Sequence, residues 1–137
     1  MIKGVEIIPL KVFSDERGSV RHMVKNTDKF FKKFGEVYFS EVFPGKVKAW
    51  SKRKKATRNY SVIEGSIKLV IYDGKESQEI HMGKENYCLV IIPPGVWCGF
   101  MPTHGKKAIV CDLADMPYSE EDVEKAEPER FVDCWGD

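Results

Sequence analysis

Histidine is scarce in this chain: three in 137 residues, with His22, His81 and His104 standing apart from one another. Transition-metal centres and imidazole acid–base pairs draw on grouped histidines, so the composition gives no sign of either, and surface or packing roles are expected for all three. Cysteine is nearly as sparse. Cys88, Cys98, Cys111 and Cys134 show no Cys-x-x-Cys spacing, which removes the usual zinc and redox signals. They are expected to be free thiols in a reducing compartment. No apolar stretch approaches the roughly 20 residues of a membrane span, and residues 1–5 lack the unbroken apolar core of a signal peptide. A cytoplasmic location is the resulting expectation. Charge of one sign is also missing. The 22 Lys and Arg against 21 Asp and Glu leave +1, so there is no global attraction to nucleic acid or to an anionic membrane. The longest basic run, Lys52-Arg53-Lys54-Lys55, reads either as a local anion patch or as a solvated strand end.

What is present is patterning for strands. With 42% hydrophobic and 31% charged residues, a chain of this length can bury a core of its own, and one domain over residues 1–137 is expected. Residues 5–10 form an apolar run tolerant of an edge proline. The polar turn Ser14-Asp15-Glu16-Arg17-Gly18 and an alternating return over 19–24 follow. Asn26-Thr27-Asp28 predicts the start of a short helix over 29–33. Residues 36–43 are strand-like and stop at Pro44-Gly45. The turn Glu64-Gly65 between residues 59–63 and 66–72 predicts a hairpin, and Asp73-Gly74 marks the next reversal. Short strands follow at 78–82, 88–92 and 107–112. Beyond Gly45 only the tail, residues 119–125, predicts a helix, with Ser119 as N-cap. Many short strands with regular turn signals imply a sandwich or small barrel.

Between Gly45 and Gly65 the spacing follows the cupin metal motif, in which glycine and five residues precede His-x-His, then Glu and a closing turn glycine. Here Ser51-Lys52-Arg53 replaces the histidine pair and Thr57 stands near the glutamate position. The second half of the motif, Pro-x-Gly-x-x-His, reads Pro93-Pro94-Gly95-Val96-Trp97-Cys98. A guanidinium is permanently protonated and offers no lone pair, so Arg53 would repel a metal.

Four blocks in order carry a wider resemblance, over residues 12–118. They are Asp15-Glu16-Arg17-Gly18-Ser19-Val20, Gly45-Lys46-Val47-Lys48-Ala49-Trp50-Ser51, residues 58–65 with Val70-Ile71-Tyr72-Asp73, and residues 92–100. Together the chain resembles the dTDP-4-dehydrorhamnose 3,5-epimerase family and the related cupin sugar-nucleotide isomerases. The resemblance implies an all-β cupin barrel (double-stranded β-helix, or jelly roll), here with a short C-terminal helix. It also implies a homodimer paired through N-terminal strands, a nucleotide-diphosphate sugar as ligand, and no metal or other cofactor.

For the site, the resemblance implies a cation at Arg58 that stabilises an enolate, and Arg17 and Lys48 on the diphosphate. The family's histidine base falls at Ser51, a poor base unless a neighbour takes its proton. Its tyrosine acid falls at Cys111, which can ionise near neutral pH if a cation lies close. Tyr60 is the other candidate for proton transfer. Strand alternation puts Ser51 and Arg53 on one side, which would give the barrel a cationic interior. Trp50 and Trp97 fit either stacking on a base or sugar, or packing in the core or a dimer interface. Cys98 replaces a histidine as a small filler or a nucleophile, and Tyr118 falls near the substrate rim. Two readings result: an epimerase or keto-isomerase that moves a proton beside the keto group of a nucleotide-linked 4-keto-6-deoxy sugar, or a nucleotide-sugar-binding cupin that has lost its base and acid.

Overall fold

The protein's structure, a computed structural model, describes residues 1–136. Twelve strands follow in chain order: β1 (Glu6–Pro9), β2 (Val12–Asp15), β3 (Gly18–Arg21), β4 (Glu36–Val42), β5 (Lys48–Arg53) and β6 (Arg58–Glu64), then β7 (Ser66–Tyr72), β8 (Ser77–Gly83), β9 (Cys88–Ile92), β10 (Trp97–Pro102), β11 (Ala108–Ala114) and β12 (Val123–Lys125). One five-stranded sheet has the order β1-β9-β6-β11-β4 and the other β12-β5-β10-β7-β8, with antiparallel pairing throughout. Strands β2 and β3 pair only with each other, and every residue of that hairpin is exposed.

The core lies between the two sheets, where Val62, Leu69, Ile71, Met82, Val90, Ile92 and Val110 meet. Each such fully buried aliphatic side chain contributes on the order of 1.5–3 kcal/mol. Strand β7 is apolar nearly throughout because both its faces are covered. Its outer side carries Tyr72, whose ring stacks on Phe131 at 5.1 Å, and Lys68, which lies over the Trp135 ring. The C-terminal segment thus covers the outer side of the second sheet. Two packed antiparallel sheets in this order form the all-β cupin barrel that the sequence predicts.

Three local expectations change. The turn at Glu64-Gly65 does not make a hairpin: β6 pairs with β9 and β11, whereas β7 pairs with β8 and β10. Gly65, at φ +73°, hands the chain from one sheet to the other, and a Cβ there would run into the Lys107 carbonyl. The hairpin in this region is β7–β8, closed by Asp73-Gly74, where Asp73 accepts the Lys75 and Glu76 amides at 2.8 Å. Residues 29–33 form turns, not a helix, with single bonds such as Phe31 N–H to Asp28 C=O.

The predicted tail helix shrinks to one 3-10 turn over Glu120–Asp122, and β12 follows it. Ser119 holds the N-cap position without a side-chain capping bond. Edge pairing with β5 and the claim of Arg53 on Asp122 outweigh the local helical preference.

Candidate active site

Strand alternation builds one cavity of about 360 Å3 inside the barrel. Tyr38 and Ser40 of β4, Arg58 and Tyr60 of β6, and Val110 and Asp112 of β11 face it from the first sheet. Lys48, Ser51 and Arg53 of β5, Cys98 and Phe100 of β10, and Lys125 of β12 face it from the second, with Tyr118 beside them. Its charged residues are four cations (Lys48, Arg53, Arg58, Lys125) and one carboxylate, Asp112. Gly99 lets β10 approach Ala49 of β5 where their register shifts; a Cβ there would strike the Ala49 side chain.

Arg58 is the centre of the arrangement. It is 2% exposed, and its Nη1 donates to Ser51 Oγ at 2.9 Å and to the Tyr60 hydroxyl at 3.4 Å. Burial works against its charge, but the acidic groups around it (Cys98 first, then Tyr60, Asp112 and Tyr38) more than offset that and push its pKa further up. Arg53, also 2% exposed, donates from Nε to Asp122 Oδ2 at 2.7 Å. Asp122 Oδ1 accepts the Lys55 amide at 2.6 Å. Burial raises the Asp122 carboxyl, yet Arg53 and the Lys55 amide bring it below its usual value. Three buried polar atoms among the described residues have no partner: Arg53 Nη1, Arg58 Nε and Asp112 Oδ1.

Chain comparison adds the family. Residues 3–134 match the profile of the FdtA family, described as WxcM-like, C-terminal. The chain belongs to the WxcM-like C-terminal family. The spore coat polysaccharide biosynthesis protein SpsL of Bacillus subtilis is 30% identical over 73% of this chain and 71% of its own length. A dTDP sugar isomerase from Desulfovibrio desulfuricans G20 superposes with a TM-score of 0.91 at 34% identity, covering 94% of this chain and 87% of that one. A sugar 3,4-ketoisomerase from Thermoanaerobacterium thermosaccharolyticum, solved with TDP, shares the fold with a TM-score of 0.79 at 21% identity over 92% and 90% of the two chains. Relatives and structural neighbours of this WxcM-like chain are thus nucleotide-sugar isomerases and epimerases and a polysaccharide-biosynthesis protein.

Against this family background, eight of the residues singled out in the sequence meet at the cavity: Lys48, Trp50, Ser51, Arg53, Arg58, Tyr60, Cys98 and Tyr118. Arg53 is no solvated strand end, although Lys54 and Lys55 beside it are exposed. Ser51 Oγ accepts from Arg58 and fixes that guanidinium. The Tyr60 hydroxyl lies 3.7 Å from Cys98 Sγ. Burial first, then Cys98 and Asp112, push the Tyr60 phenol well up against the pull of Arg58, so it holds its proton. Tyr118 sits at the rim, 46% exposed, with the Arg53 guanidinium 5.8 Å from its ring centre.

Two residues are corrections, and a third lies outside this chain's cavity. Cys111 falls on the opposite side of β11 from Val110 and Asp112, paired in register with Ser61 and Phe39, and no cation lies beside it. Burial and then the Asp112 charge push its thiol up, opposite to what a nucleophile needs. Trp97 is outside the cavity, packed on Phe131 at 4.8 Å with Lys52 over its ring. Arg17 is at the tip of the β2–β3 hairpin, 84% exposed and paired with Asp15 at 2.7 Å, away from this chain's cavity. Trp50 touches the cavity wall, but its ring packs on Phe131 and Trp135, and its Nε1 donates to Pro128 C=O at 2.9 Å. It is a packing residue.

Sequence reasoning missed Asp112 and Tyr38. A usable signal existed: Asp112 is the one charged residue in the strand Ala108–Ala114.

Proposed function

We propose that this chain is an isomerase of a nucleotide-linked 4-keto-6-deoxy sugar, moving a proton on carbon beside the ketone without a metal, in polysaccharide biosynthesis. The observation that carries the reading is the pair of buried guanidiniums on the wall of one cavity, Arg53 and Arg58, each with one unpartnered nitrogen. Removing a proton beside a ketone puts negative charge on its oxygen. Fixed cationic donors in a site of low dielectric hold that charge more strongly than they hold the neutral ketone, which lowers the barrier. The same residues do not fit a divalent metal: Ser51, Arg53, Thr57 and Cys98 stand at the motif's ligand positions, and the cations nearby repel one.

Lys48 and Lys125 are suited to a diphosphate. Neither takes part in an ion pair among the described residues, and Lys48 Nζ donates only to Ser40 Oγ, at 2.9 Å. A homodimer belongs to the same reading. Phe13 and Val20 face out from the hairpin and Phe39 from β4, at 59%, 61% and 63% exposure, an apolar surface suited to a second copy. In such a dimer Arg17 serves the diphosphate from the hairpin of the neighbouring copy. The four unpaired thiols suit a reducing cytoplasm.

Binding without turnover is the second reading, favoured by Cys111 facing away and by Ser51 being held by Arg58. Proton NMR with dTDP-4-keto-6-deoxyglucose in deuterated water separates the two. The isomerase reading expects loss of the C3 or C5 proton signal well above a control without protein. Line-broadening with no exchange would establish a binding protein instead.

A further inference from the structure

Three residues that line the cavity each carry one buried, unpartnered polar atom, and these atoms are chemically complementary. Arg53 Nη1 and Arg58 Nε are donors of fixed positive charge, and Asp112 Oδ1 is an acceptor. A ketone with an acidic hydrogen on the next carbon satisfies both kinds at once, its oxygen on the cations and its hydrogen on the carboxylate. Of the other lining groups, Cys98 Sγ is taken up by the Tyr60 hydroxyl at 3.7 Å. Ser51 Oγ is engaged by Arg58, Tyr60 keeps its proton, Tyr38 has its phenol raised by burial and by Asp112, and histidine is absent from the lining.

Resting on the isomerase reading above, we propose that Asp112 is the catalytic base that removes the proton beside the keto group, in place of the missing histidine. The C–H bond breaks and its proton passes to the Asp112 carboxylate. The electron pair left on carbon forms the C=C bond, and the carbonyl π pair moves to oxygen as an enolate facing Arg53 and Arg58. Return of the proton to the neighbouring carbon, once the hydroxyl proton has moved across to the enolate oxygen, completes the turnover with atoms and charge conserved. No oxidant or reductant enters.

The surroundings of Asp112 suit the task. It is 3% exposed, and it sits opposite Tyr38 in the β4–β11 register. The charged or titratable groups around it are Tyr38 and Glu36 on β4, Arg53 on β5, and Arg58 and Tyr60 on β6. Burial raises its carboxyl to about 6; Tyr38, Arg58 and Arg53 restrain the rise, and Glu36 adds to it. A base poised there is better matched to neutral pH than an ordinary carboxylate.

The test is exchange of sugar C–H for deuterium from dTDP-4-keto-6-deoxyglucose, with dTDP binding measured alongside, across pH. Wild type is expected to show a rising limb with its midpoint near 6. Asp112→Asn is expected to bind dTDP and to lose at least about 100-fold in exchange, the lower bound for general base catalysis. Tyr38→Phe removes a hydroxyl that favours the ionised carboxyl, so its limb moves to higher pH. This shift decides the matter if the Asn variant does not fold. Wild-type exchange rates in a folded Asp112→Asn, or an unmoved limb in Tyr38→Phe, overturn the assignment and leave the isomerase reading standing. Wild type that binds dTDP and exchanges no carbon-bound hydrogen overturns both.

Discussion

The two faces of the sheet formed by β4, β11 and β6 differ by a single step along each strand. Inward lie Tyr38, Asp112, Arg58 and Tyr60; outward, one residue away, lie Phe39, Cys111 and Ser61. The inner set is polar, buried and incompletely hydrogen-bonded, which is costly in an apolar interior and persists where a ligand or a reaction uses it. The outer set takes no part in the cavity. Phe39 is exposed, the Cys111 thiol is held protonated, and Ser61 Oγ donates to Met23 Sδ at 3.2 Å. Parity along the strand, and not residue type, separates chemistry from scaffold here.

The largest way to break this contrast is Arg58→Ala. It removes the guanidinium that touches Ser51 and Tyr60 and leaves the Asp112 charge with only Arg53 nearby. Loss of a transition-state donor of this kind costs about 100- to 1,000-fold in turnover. The measurement is the initial rate of deuterium exchange in a variant shown to be folded by its far-UV spectrum. An unchanged rate would strip Arg58 of its enolate role.

The barrel was legible in the sequence because turn residues punctuate it and the strands alternate. The cationic interior was legible as well: Ser51 and Arg53 two apart on one strand, and Arg58 opening the next. Two things were not. Pairing partners are long-range, so the Glu64-Gly65 turn looked the same whether it closed a hairpin or crossed between sheets. The facing of Cys111 was the other: one step along β11 from Asp112, its side chain lies on the opposite side of the strand from the cavity. Arg17 illustrates a third limit. Its hairpin pairs with neither sheet of its own chain, so strand alternation gives no placement for it.

A second contrast concerns stability, where the inner face should carry a cost that the outer face does not. The Asp112 pKa is raised in the folded state from 3.8 to about 6. Between those values the folded protein holds a proton that the unfolded chain has released, so stability falls as pH rises through the window and levels off above it. Asp112→Asn removes that dependence. Relative to wild type, the variant should gain about 2.4 kcal/mol between pH ~4 and pH ~7.5, from 1.36 kcal/mol per pKa unit. Urea unfolding of both proteins at the two pH values reads this difference directly, because the other carboxylates are common to both. A difference that stays constant with pH would place Asp112 in an ordinary, solvated setting.

The smallest expected effect comes from Cys111→Ala, one residue along the same strand. The side chain is 6% exposed, so losing its sulfur should cost about 1 kcal/mol, in the range typical of point substitutions. Exchange rates and the midpoint of the pH limb should match wild type, because the thiol faces neither the cavity nor either guanidinium. Deuterium exchange across the same pH series checks this. A lost or shifted limb would mean that β11 presents Cys111 to the substrate and that the strand is rotated relative to the register with β4 and β6. The near-silence expected of Cys111 is therefore as informative as the loss expected at Arg58: only the inner parity, which carries Val110 and Asp112, lines the cavity.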